Sequence, residues 1–148
     1  LRLRLFGPDH ANTAHSLEVL AKTEIAGGRH DDALEHLTRA LAIRDRDPAT
    51  PAPVLLATLH GLASVQDALG RAATARETLQ RAVALVDAHE LASVTAGQAR
   101  FDLARILATK PSTHEQAVGQ ARLALQLLRA AEHPMADEAA AWLKQHDR

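Results

Sequence analysis

The chain has 148 residues, enough for a domain with its own core, and its 47% hydrophobic and 24% charged residues exclude a disordered segment. A formal net charge of −1 leaves no basic footprint for nucleic acid, and the lack of cysteine excludes disulfides and thiolate metal sites. Two Phe, one Trp and no Tyr leave Ala and Leu to fill the interior, so an all-α fold with closely approaching helices is expected.

Residues 1–5 read as the tail of a helix, too short and too charged for the apolar region of a signal peptide. After Gly7-Pro8 a helix is expected over 11–26, with Leu17, Leu20, Ala21 and Ile25 as its inward stripe. Gly27-Gly28 stops it. A second helix over 30–46 carries Asp31 and Asp32 in its first turn and turns Ala33, Leu34, Leu37, Ala40 and Leu41 inward. Pro48, Pro51 and Pro53 break the chain before helices over 52–69 and 72–88, which Gly70 separates. Helices over 93–109 and 113–131 follow. Lys110-Pro111-Ser112-Thr113 joins them, and Ser112 with Glu115 reads as a capping box. The last helix, 135–146, sets Ala136, Ala139, Ala140 and Leu143 on one side with Trp142 beside them, as a lid on the end of a stack.

These elements repeat. Ala40-Leu41, Ala82-Val83 and Ala124-Leu125 lie 42 residues apart, as do Ala33, Ala75 and Ala117. Leu17 and Leu59, Leu20 and Leu62, Ala21 and Ala63, and Gly28 and Gly70 share the offset. Leu103-Ala104 joins the set through one inserted residue in the glycine-free turn, the preferred register; without the insertion Phe101 aligns with Leu17 and Leu59. The expected organisation is a single domain over 1–148, a fragment of a longer protein, with units at about 11–48, 52–89 and 93–131 and a capping helix at 135–146.

The small residues and glycine of each unit resemble the tetratricopeptide repeat. The 42-residue period, Gly7-Pro8-Asp9-His10 before a unit and Ala40-Leu41-Ala42-Ile43-Arg44 at its end are similar to the kinesin-light-chain subtype. Glu24 and Gln66 stand where that family has a large aromatic residue. The resemblance implies a right-handed superhelical stack of three helix-turn-helix repeats with a C-terminal cap. The ending Glu138 to His146 also resembles the C-termini of repeat-bearing bacterial serine/threonine protein kinases, although no kinase motif stands in the chain.

Chemistry is sparse. Of nine histidines no two are three or four residues apart, so zinc-ligand spacing is missing. There is no nucleophile elbow and no glycine-rich phosphate loop. No apolar run reaches the roughly 18 residues of a membrane span. A non-enzymatic protein without cofactor or metal is expected, cytoplasmic, without nucleic-acid or membrane partners.

In the resembled fold the first helix of each hairpin lines the concave groove. That assigns His15, Glu18 and Lys22 from the first unit, His60, Ser64 and Asp67 from the second, and Gln98, Phe101 and Arg105 from the third, with Phe101 as an aromatic anchor. The expected function is a protein-interaction module holding a peptide, a protein or another domain of the same protein. The alternatives are a self-assembly segment, or a regulatory C-terminal region of a kinase. Weak self-association through the N-terminal face is also expected.

Overall fold

A computed structural model describes residue 7 and residues 9–148 of the chain. The expectation for residues 1–5 lies outside them. The described residues form seven α-helices and no strand: α1 Ala11–Ala26, α2 His30–Arg46, α3 Ala52–Ala68, α4 Ala72–His89, α5 Val94–Leu107, α6 His114–Ala130 and α7 Met135–His146. They divide into two compact units, one ending at Ala75 and the other running Arg76–Arg148, so the boundary falls inside α4 rather than between repeats.

Local chemistry sets the helix ends. His10 caps α1, its Nδ1 accepting the Asn12 N–H at 3.0 Å, and the Thr13 hydroxyl donates to the Gly7 carbonyl at 2.7 Å. After α1 and α3 the chain turns through Gly28 and Gly70, with φ of 76° and 74°, a backbone region that penalises any side chain. The closing bonds also repeat at 42 residues: Arg29 N–H to Glu24 C=O and Arg71 N–H to Gln66 C=O, both 2.8 Å. The turns after α4 and α6 use Glu90 and Glu132 in the same left-handed region, at 50° and 53°.

The turn between α5 and α6 is built differently. Pro111–Thr113 forms a single 3-10 turn, and the Thr113 hydroxyl lies 2.5 Å from the Leu107 carbonyl. The capping box expected from Ser112 and Glu115 is not formed. Thr113, not Ser112, is the N-cap of α6, and no side chain caps that end. The 3-10 turn spends Ser112 one position too early for its hydroxyl to meet the free N–H groups.

In the unit ending at Ala75, α1 packs on α2 and α2 on α3. Ala21, Ala33, Leu37, Leu62 and Val65 form one cluster, and Ala14, Leu17, Ala40 and Ile43 another. Leu20, expected in the inward stripe, is 42% exposed. Its counterpart Leu62 is buried among the Ala33 and Leu37 side chains of the preceding helix. Neither cluster of this unit includes Leu20.

In the unit from Arg76, α6 packs on both α5 and α7. Phe101, Ala104, Val118, Ala121, Ala124, Leu128, Ala136, Ala139 and Leu143 make its core, with Trp142 against it. The buried positions of α5 (Gly97, Arg100, Leu103, Ala104 and Leu107) follow Leu56, Leu59, Leu62, Ala63 and Gln66 at 41 residues. Ala117 and Ala124 follow Ala75 and Ala82 at 42. The inserted residue therefore sits in the turn after α5.

The glycine at 97 is held by packing, because a Cβ there would meet Leu128 at 2.9 Å. At Gly119, inside α6, a Cβ would meet nothing within 4 Å. Gly97→Ala is expected to destabilise the chain by about 1–3 kcal/mol through overpacking. Gly119→Ala should stabilise it by up to about 1 kcal/mol. Thermal melts of the two variants against the parent check both signs.

Candidate partner-binding groove

Helical spacing places His15, Glu18 and Lys22 along one face of α1, and 42 residues on it places Ala57, His60 and Ser64 on α3. Between the two helices lies an open cleft of about 520 Å³, lined by Asn12, His15, Glu18, Lys22, Arg44, Pro53, Val54 and Ala57. It shares Glu18, Lys22 and Ala57 with a smaller apolar notch of about 100 Å³. Ala21, Ile25, Leu37, Thr58 and Gly61 complete the notch.

One carboxylate organises this surface. Glu18 accepts two hydrogen bonds from Arg44 of α2, Nη2 to Oε2 at 3.0 Å and Nε to Oε1 at 3.3 Å. The Thr58 hydroxyl of α3 lies 2.5 Å from Oε1 and 3.1 Å from its own helix's Val54 carbonyl. Arg44 is only 9% exposed, and a guanidinium so far from water needs a carboxylate beside it. Glu18 thus ties three helices together, whereas the sequence alone suggests a residue waiting for a partner. His15 Nδ1 stands 3.9 Å from Glu18 Oε2 and is exposed. Lys22 is exposed and makes no ion pair with the described residues.

The remaining expected groove residues are distributed unevenly. His60 is half-buried, Ser64 donates back to the His60 carbonyl at 2.9 Å, and Asp67 is exposed. In the other unit Gln98 is half-buried and Arg105 is exposed, paired with Asp102 at 2.6 Å. Phe101 is not available as an anchor. It is 0% exposed and meets Trp142 edge to face, ring centres 6.2 Å apart. The only large aromatic of α5 fills the space where that helix and α7 meet α6, and burying its ring outweighs displaying it. Arg105 covers the ring at 5.5 Å. Of the nine residues, six belong to the first unit and three to the second.

Two arginines are functional in the packing although the sequence pattern does not single them out. Arg100 is 6% exposed and donates to Gln120 Oε1 at 2.9 Å and to Asp87, while its buried Nε has no partner. Arg44 is the other, held by Glu18. A signal exists for both. Arg44 stands 42 residues before Val86, and Arg100 stands 41 after Leu59, so each takes an inward apolar position of another repeat. Glu24 is a third inward polar residue. It is 3% exposed, with Oε2 at 2.8 Å from His36 Nδ1. Among the described residues no three His, Asp or Glu side chains gather as a metal site would require, and no helix is long and apolar enough to cross a membrane.

The tetratricopeptide-repeat profile matches residues 1–46 and 26–88, more than half of the chain. The chain belongs to the tetratricopeptide-repeat family, whose members are generally protein-interaction modules and typically non-catalytic. Among solved structures it is similar to the repeats of a Podosopora anserina kinesin-light-chain protein with nearly identical TPR-like repeats. The TM-score is 0.74 at 24% identity, over 93% of this chain and 66% of that one. A singly substituted form of the same fungal protein gives a TM-score of 0.75. The chain is also similar to apo RapI, with a TM-score of 0.77 at 12% identity over 88% of this chain. It spans 46% of the RapI chain and just under two thirds of the fungal one. No curated protein matches it.

Because Glu18 neutralises a buried charge, Glu18→Ala should cost about 2–4 kcal/mol in chemical denaturation. Arg44→Leu together with Glu18→Ala should recover much of that loss, since no charge is then left buried. A double-mutant cycle with no coupling between the two positions would contradict the assignment.

Proposed function

We propose that this chain is a protein-interaction module that holds a peptide segment of its partner in the cleft between α1 and α3. The observation that carries the proposal is the cleft itself. It is open, about 520 Å³, and edged by exposed His15 and Lys22 on one side and by Pro53, Val54 and Ala57 on the other. Such a mixture of fixed polar groups and small apolar side chains suits an extended segment, whose backbone and side chains both need contacts. His60, Ser64 and Asp67 continue the α3 face and extend the proposed surface. Gln98 and Arg105 of the other unit are proposed as secondary contacts.

The same proposal places the module in the cytoplasm, in a longer protein with a regulatory role, and makes catalysis no part of it. A second reading, association between copies, is favoured by one observation: the neighbouring side chains Val19 and Leu20 of α1 are 49% and 42% exposed. Sedimentation of the parent and of Leu20→Lys over a concentration series tests that reading, which predicts association in the parent alone.

For the main proposal, linear peptides selected from a random display library on the parent chain should lose affinity by at least about ten-fold on Ala57→Arg. This substitution fills the cleft with a large cation. Arg39→Glu on the outer face of α2 should leave affinity unchanged. Selected peptides that respond to Arg39 and ignore position 57 would move the site off the cleft.

A further inference from the structure

The outward faces of the second helices are alike in the first two repeats and different in the third. Glu35 and Arg39 of α2 and Glu77 and Arg81 of α4 stand 42 residues apart at the same two exposed positions. Another 42 residues on, α6 carries Gly119 and Leu123 there. The charged pair is gone, and Leu123 is left 43% exposed. It edges an open cleft of about 470 Å³ between α4 and α6, floored by Val83 and by Leu103 and Leu107 of α5. Side-chain amides of Gln80, Gln116 and Gln120 form the rim. Asp87, the one ionisable residue of this lining, is already held by the buried Arg100.

On α1 a ridge has the same character. Asn12, Ser16, Val19, Leu20 and Thr23 follow one another along one face of the helix, and none is charged. The Ser16 and Thr23 hydroxyls donate back to the Asn12 and Val19 carbonyls, at 3.0 and 3.4 Å, so covering the ridge strands neither donor. Val19, Leu20 and Leu123 are the large hydrophobic side chains that stand exposed among the described residues, and these two faces hold all of them. The register also tells what such a ridge packs on. One repeat later Leu62 takes the position of Leu20, and it lies against Ala33 and Leu37 of a second helix.

Resting on the reading of association between copies, we propose that the α1 ridge docks in the α4–α6 cleft of a second copy of this chain. Val19 and Leu20 of one copy enter over Leu103 and Leu107 of the other and cover its Leu123. The two surfaces match in polarity. An uncharged ridge meets amides that both donate and accept, and no unpaired charge loses water on either side. The contact is heterologous, ridge to cleft, so every chain offers one of each. Leu123 replaces the solvated arginine of the other repeats because the contact covers it.

Sedimentation over a concentration series tests the proposal with the parent, Leu20→Lys, and the double variant Gly119→Glu with Leu123→Arg. The double variant rebuilds on α6 the pair that α2 and α4 carry. It should melt no lower than the parent, because it removes a helix-interior glycine and adds an i,i+4 ion pair. The parent should associate, and each variant alone should associate at least about ten-fold more weakly. Leu123→Arg alone should act in the same direction. An equimolar mixture of Leu20→Lys and the double variant should form a complex of one chain of each, since one keeps its cleft and the other its ridge. A parent that stays monomeric would overturn the proposal. So would a mixture that stays monomeric while the parent associates, which would mark a contact between like faces. Association lost in Leu20→Lys but kept in the double variant would leave association through α1 standing and remove the cleft as its partner. Ala57→Arg should leave association unchanged, which separates it from peptide capture between α1 and α3.

Discussion

Helices in this chain meet through alanine. Ala33, Ala40, Ala75, Ala82, Ala117 and Ala124, two on each second helix of the three repeats, are all 0% exposed. A methyl group is the largest side chain that lets two backbones approach at such positions, and the dispersion energy of the contact depends on that closeness. Leucines and valines at intervening positions then supply the apolar area: Leu37 and Leu62 in the first unit, Leu128 and Leu143 in the second. The face of α1 that points toward α3 is fixed by the same register, so the cleft exists because the alanines set the spacing behind it.

Within that frame the polar residues divide by burial rather than by type. A half-buried carboxylate at Glu18 and a buried guanidinium at Arg44 are tolerable only as a pair, because desolvating either alone would cost several kcal/mol. Thr58 adds a hydroxyl to the same oxygen that Arg44 Nε contacts, linking α3 to the pair. The arrangement matches Glu18 internally, whereas Lys22 makes no ion pair with the described residues.

Much of the architecture is legible in the sequence because it rests on periodicity and backbone chemistry. The 42-residue spacing of Ala33, Ala75 and Ala117 and the stops at Gly28 and Gly70 mark hairpins without reference to any partner. The site is less legible. Phe101 has the helical phase of a groove residue, but an aromatic in a chain with so few is needed inside, and only α7 reveals what it fills. Ser112 has the spacing of a cap that the 3-10 turn moves to Thr113. Ala57 and Gly61 carry no reactive group to mark them, yet their smallness leaves the cleft and notch open. The turns at Glu90 and Glu132 give no signal either, since neither residue favours the left-handed conformation it adopts.

The central claim is positional: a bound segment lies between α1 and α3. Photo-crosslinking measures it most directly. A benzoyl-phenylalanine placed at Lys22 or at Ser64 should capture a bound peptide on irradiation, in amounts that track its saturation. The same group at Thr38, which is exposed on α2, should capture little. Capture at position 38 that equals or exceeds capture at positions 22 and 64 would contradict the account and put the working surface on the second helices.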